Sequence, residues 1–195
     1  MKKILLFIAF VLLTTSLHAE KIVATYTLFG TKRNIEAGID EKGALNVFIQ
    51  VVGDDSDYVM LRIKGESDIR RFRTQLVNCK NKFIEWEQVA KRNNISEFKK
   101  SMDITFPKVE VWWVGLEWYS SYDKNFIKPF FVVNDGDAAF GTTGVATHWA
   151  NEFIEQEFYM LFETAYEAQT LIDALDIAKI KHVLNKEKEK DALFR

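Results

Sequence analysis

The aromatic-rich run at residues 111–119 (VWWVGLEWY) holds the side chains best suited to binding chemistry in this chain. If the run is one strand, alternation places Trp113, Glu117 and Tyr119 on the same face. Rings beside a carboxylate are typical of surfaces that bind sugars or peptides. We therefore take these three residues, with Trp149 after a later predicted turn, as candidate ligand-binding residues. In the alternative, a helix or loop covers them.

Catalytic chemistry has weaker support. The chain lacks a GxSxG nucleophile motif, and Cys79 falls on the apolar stripe of a predicted helix, where an inert buried thiol is expected. Two carboxylate pairs, Glu110 with Glu117 and Glu155 with Glu157, could perform acid–base work. With 28 acidic residues in the chain, such pairs arise by chance. We assign no catalytic residue, and a small secreted hydrolase that uses a carboxylate pair is the alternative function.

Metal and cofactor sites also have little support in the sequence. His18 belongs to the predicted leader, His148 and Glu152 lack a third ligand, and His182 lies on a helix stripe. The acidic turns do not follow EF-hand spacing, and no phosphate-binding loop is present. We expect neither a metal nor a cofactor.

The N-terminus has the order of a secretory signal peptide: two lysines, an apolar run at residues 4–13, and a small residue, Ala19. Ten apolar residues are half of a bilayer span, so cleavage after Ala19 is expected, with no membrane span afterwards. We predict a signal peptide at 1–19 and a single domain at 20–195. The protein is expected to be exported, to the periplasm or beyond, and the Met-Lys-Lys start favours a bacterial source.

Composition and charge narrow the class further. The chain has 195 residues, of which 48% are hydrophobic and 28% charged, as in a globular domain. The net charge of −2 disfavours a nucleic-acid binder. Charge is uneven, with 12 basic and 6 acidic residues at 62–108 but 2 basic and 12 acidic at 109–176. Either the two regions neutralise each other, or they steer a charged partner.

The hydrophobic periodicity predicts an α+β fold. Apolar residues alternate at 21–29, 33–40, 45–51 and 59–64, which indicates an antiparallel meander. A helical stripe follows from Ile69 to Ala90, with Ser67 as its N-cap. Strands return at 109–119, 126–133, 138–147 and 152–162, and Thr164 and Glu167 form a capping box before a second helix.

The repeated order of strands and helix indicates a duplicated ββββα unit, with antiparallel sheets and two helices. The halves would be 20–104 and 105–187, followed by a charged C-terminal tail at 186–195 that is expected to fray.

Together these features favour an exported binding or interaction module that acts through an aromatic surface. Its ligand or protein partner is unknown, and a carbohydrate or a peptide fits the residue types. A structural dimerisation domain is a further alternative, with a homodimer formed through the aromatic strand or the basic helix.

Overall fold

The computed structural model of the chain describes residues 20–122 and 125–193. The predicted signal peptide, residues 1–19, lies outside the described residues. Within them the chain forms three helices and a ten-stranded antiparallel sheet, which confirms the α+β class. None of these three helices combines the length and the apolar character needed to cross a membrane.

The first four strands form the predicted antiparallel meander, in which each strand pairs with the next. Alternation explains it, because the odd-numbered residues of the third and fourth strands, such as Val47, Ile49 and Leu61, are fully buried. The strands are β1 (Lys21–Leu28), β2 (Thr31–Ile39), β3 (Leu45–Gly53) and β4 (Val59–Lys64).

Helix α1 (Glu66–Arg92) covers the inner face of the sheet with the predicted stripe. The prediction of Ser67 as N-cap is wrong: the N-cap is Gly65, two residues earlier, and the helix begins at Glu66. Gly65 has a φ of 79°, a conformation that glycine adopts without steric cost. The buried stripe residues are Ile69, Phe72, Leu76, Cys79, Phe83 and Ala90.

Cys79 is buried in this stripe, as predicted. Burial raises the pKa of its thiol to about 12. Because the thiolate is the reactive form, the side chain acts as a small apolar group and not as a nucleophile.

Six strands follow helix α1, and the single strand predicted at residues 109–119 is wrong. Residues 109–119 do not form one strand but a hairpin of two short strands, because the chain reverses at Gly115. The strands are β5 (Phe98–Ser101), β6 (Glu110–Val114), β7 (Trp118–Ser120), β8 (Lys128–Asn134), β9 (Asp137–His148) and β10 (Asn151–Phe162).

Two helices, and not the single predicted one, end the described chain: α2 (Ala165–Ala174) and α3 (Ile177–Ala192). The predicted capping box starts α2, since the Thr164 side chain accepts a hydrogen bond from the Glu167 N–H at 3.2 Å. Asp176 caps α3, which continues through most of the charged tail to Ala192. The structure does not confirm the duplication, because the halves differ in both strands and helices.

The sheet runs in the order β5-β8-β9-β10-β3-β4-β6-β7, with β1 and β2 added beside β3. Its far end curls back, since Ser121, just after β7, pairs with His148 at the end of β9. The inner face of the sheet and the helices share one hydrophobic core. The closure between Ser121 and His148 brings two distant hairpins together.

Candidate functional site

The β6–β7 hairpin positions the first predicted site residues. Trp113 pairs with Tyr119 across the hairpin, and Gly115 begins the three-residue turn. A Cβ on Gly115 would lie 2.6 Å from the Tyr119 ring, so the turn requires a glycine. Trp113 and Tyr119 therefore share a face as cross-strand neighbours, whereas Glu117 lies exposed in the turn. The prediction that all three residues share one face of a single strand is wrong.

His148 joins the rings of the two hairpins. Ring centroids lie 5.8 Å apart for Trp113 and Tyr119, 5.3 Å for Tyr119 and His148, and 5.7 Å for His148 and Trp149. We call Trp113, Tyr119, His148 and Trp149 the aromatic chain. Three of the four predicted site residues thus meet, and the residue that connects them is one the sequence pointed to only as a poor metal ligand.

Burial falls steeply along the aromatic chain. Trp113 is only 3% exposed and belongs to the hydrophobic core. Tyr119 is half-buried, while Trp149 is 56% exposed. The alternative to ligand binding, in which the rest of the protein covers these residues, therefore holds for Trp113. Its side chain cannot contact a ligand in the folded protein. The solvent end of the aromatic chain, at Trp149, is the part able to bind.

Trp149 lines an open groove of about 540 Å³ at the tip of the β9–β10 hairpin. Two further rings border it, Tyr122 at 56% exposure and Phe153 at 90%. We call this the aromatic groove. Its lining residues are Tyr122, Thr147, His148, Trp149, Ala150, Asn151, Glu152 and Phe153.

Phe153 lies at a bulge in β10. The pairing with β9 jumps from Asn151–His148 to Glu155–Thr147, so the intervening residues of β10 have no partner in that strand. The Asn151 side-chain oxygen accepts a hydrogen bond from the Phe153 N–H at 3.0 Å, which fixes the first turn of the bulge. Alternation with Glu155 and Glu157 also puts Phe153 on the solvent-facing side of β10, so the sequence held a signal for this ring that the prediction overlooked.

The polar groups of the aromatic groove offer side-chain hydrogen bonds. Thr147 donates its hydroxyl proton to Glu155 at 3.2 Å, and Glu152 is exposed at the rim. His148 Nδ1 is enclosed and has no hydrogen-bond partner among the described residues. The Trp149 N–H is already paired, since it donates to the Ser120 carbonyl at 3.1 Å. The polar side chains at the rim could orient a ligand that stacks on the rings.

The predicted carboxylate pairs do not form an open acid–base site. Glu110 is buried, with its carboxylate 2.7 Å from Lys64 Nζ and 3.3 Å from Arg62, and it accepts a hydrogen bond from the Trp112 indole. Glu110 thus serves the packing of the sheet. Glu155 and Glu157 are exposed on β10, and neither lines the aromatic groove.

The described part of the chain contains no cluster of three or more His, Cys, Asp or Glu side chains that could hold a metal ion. His182 lies exposed on α3 and not on a packed stripe. Comparisons with protein-family models, curated proteins and solved structures find no match to this chain.

Proposed function

We propose that this protein is an exported binding module that holds its ligand in the aromatic groove. The observation that carries the proposal is the convergence of three exposed rings, Tyr122, Trp149 and Phe153, around one groove. Exposed rings of this size are costly to leave in water, so a cluster of them in a concavity favours a ligand. Export follows from the signal peptide predicted at residues 1–19.

The groove favours a carbohydrate over an extended peptide. Sugar rings stack their apolar faces on aromatic side chains and direct their hydroxyl groups to polar neighbours. Asn151, Glu152 and Thr147 supply such neighbours at the rim. An extended peptide would gain most by pairing with a long free strand edge, whereas here Ser121 and Trp149 are already paired and the stretch of β10 without a partner in β9 is only residues 152–154.

The test is retention of the purified chain, without residues 1–19, on an array of immobilised oligosaccharides, with Trp149→Ala as the diagnostic variant. Stacking and burial of one ring contribute about 1–3 kcal/mol, so this variant should bind about 5- to 150-fold more weakly. The matched control is Trp118→Ala, which removes a tryptophan of similar exposure, 58%, that does not line the groove.

Selective loss in Trp149→Ala, with Trp118→Ala close to the wild type, supports the proposal. Equal losses in both variants would indicate nonspecific adhesion through surface tryptophans. If the wild-type chain is retained by no oligosaccharide, the carbohydrate assignment fails.

A further inference from the structure

A second exposed surface lies on the outer face of the β5-β8-β9-β10 half of the sheet. The register places Phe130 beside Gly141 and Leu161, and Tyr159 beside Thr143. This face is opposite the one that packs on α1, since its neighbours along the strands, such as Phe131 and Phe140, belong to the core. We call it the outer face; its apolar members are Phe130, Val132, Val145, Tyr159 and Leu161.

The apolar members of the outer face are only partly shielded from water. Val145 is 48% exposed and Tyr159 is 36% exposed, while Phe130, Val132 and Leu161 are half-buried. None of these five residues packs against the hydrophobic core. Half-exposed apolar residues on neighbouring strands form a contiguous surface, and such surfaces mark interaction sites.

Charge is divided between the two sides of the outer face. Lys99 on β5 pairs across to Val132, and Lys128 on β8 pairs across to Thr143, so both lysines point outward on the β5–β8 side. Glu155 and Glu157 point outward on β10, at the other side. One further charged residue points outward from these four strands when the β10 bulge is set aside. It is Asp137, next to the β8–β9 turn.

We propose that the outer face is the interface of a homodimer. In a two-fold symmetric dimer the same surface meets itself, so it must be self-complementary. The lysines are level with Ala139 and Thr143 of β9 and the glutamates with Val145 and Thr147, so a two-fold axis in the interface that runs obliquely to the strands sets the lysine side of each copy against the glutamate side of the other. The apolar residues between them then pack face to face, as two sheets of a sandwich do. This interface is separate from both dimer contacts that the sequence suggested.

The test reverses charge on one side at a time. One double variant carries Lys99→Glu and Lys128→Glu, and the other carries Glu155→Lys and Glu157→Lys. Each variant alone presents like charges to itself, so its dimerisation should weaken at least about tenfold. Mixed in equal amounts, the two variants become complementary again and should form a heterodimer. Sedimentation velocity over micromolar concentrations measures the dimer fraction in all three samples.

The matched control is Lys186→Glu with Lys188→Glu on α3, which makes the same charge change away from the outer face and should leave the dimer intact. Thermal unfolding of every variant verifies that it is folded. A wild-type chain that stays monomeric throughout, or a dimer that neither reversal weakens, overturns the proposal. If both reversals weaken the dimer and the mixture does not restore it, the two-fold arrangement is wrong.

Discussion

The β6–β7 and β9–β10 hairpins both carry aromatic residues to the same point, His148, yet they use them differently. The β6–β7 hairpin directs Trp113 into the core, where it is 3% exposed. The β9–β10 hairpin holds Trp149 and Phe153 in solvent at its bulged tip. Aromatic content alone therefore does not distinguish a binding surface from a core. The position of each ring relative to the closure between Ser121 and His148 does.

The closure between Ser121 and His148 divides the aromatic chain into a buried part and a solvent-exposed part. Rings on the inner side of the closure contribute to folding, and their removal should lower stability. The ring on the outer side, Trp149, is more than half exposed, so its removal should affect ligand binding more than stability. Variants at successive positions test whether this division is as sharp as the burial of the residues indicates.

The largest expected effect belongs to Trp113. Trp113→Ala removes a buried indole and leaves a cavity, so the free energy of unfolding should fall by about 3–5 kcal/mol. Urea denaturation followed by far-UV circular dichroism measures the change. A loss below about 1 kcal/mol would mean that the ring is not packed in solution, and the structural part of the comparison would fail.

The sequence pattern could not distinguish a single strand at residues 109–119 from a hairpin, because both arrangements place Trp113 and Tyr119 side by side. Trp113 and Tyr119 are six residues apart, so a straight strand places them on one face, and the hairpin with a three-residue turn also makes them neighbours. Only Gly115 signals the reversal. The meander β1–β4 and helix α1 were predictable because their periodicity is local and matches one core.

The aromatic groove was beyond prediction from the sequence because it depends on long-range contacts. Tyr122 reaches the groove because Ser121 pairs with His148, which is 27 residues away in the sequence. Phe153 was within reach of prediction, because alternation with Glu155 and Glu157 puts it on the solvent-facing side of β10, whereas the bulge beside Trp149 has no local signal. Trp149 was identified as a candidate from the sequence because it follows a predicted turn.

The second largest effect is expected at Ser121, the residue whose backbone pairs with His148 at the closure. The Ser121 hydroxyl accepts hydrogen bonds from the Val111 N–H at 2.9 Å and from the Asn125 amide, and donates to the Tyr122 carbonyl. Ser121→Ala leaves the buried Val111 N–H unpaired, while the Asn125 amide and the Tyr122 carbonyl keep their hydrogen bond to each other, so the free energy of unfolding should fall by about 1–3 kcal/mol. Ser120→Ala, at the less buried neighbour, should change it by less than about 0.5 kcal/mol. Equal losses in both variants would show that the closure does not depend on this network.

A smaller effect is expected at the exposed end of the aromatic chain. Trp149→Ala should lower the free energy of unfolding by no more than about 0.5–1 kcal/mol, because its indole is largely in water already. Denaturation curves recorded beside those of Trp113→Ala give the contrast directly. If the two variants lose similar stability, Trp149 is part of the core and the proposed groove has no free ring.

The smallest effect is expected at His148, the residue that the two hairpins share. His148→Phe keeps a ring against Trp113 and Tyr119 while it removes Nδ1, an enclosed atom without a hydrogen-bond partner among the described residues. Removing an unpaired polar atom costs nothing, so stability should stay constant or rise by up to about 1 kcal/mol. His148→Ala, which also removes the ring contacts, should instead lose about 2–3 kcal/mol. A loss of about 2 kcal/mol or more in His148→Phe, measured by the same denaturation, would mean that Nδ1 holds a partner in solution. His148 would then belong with the binding residues of the groove and not with the packing of the closure.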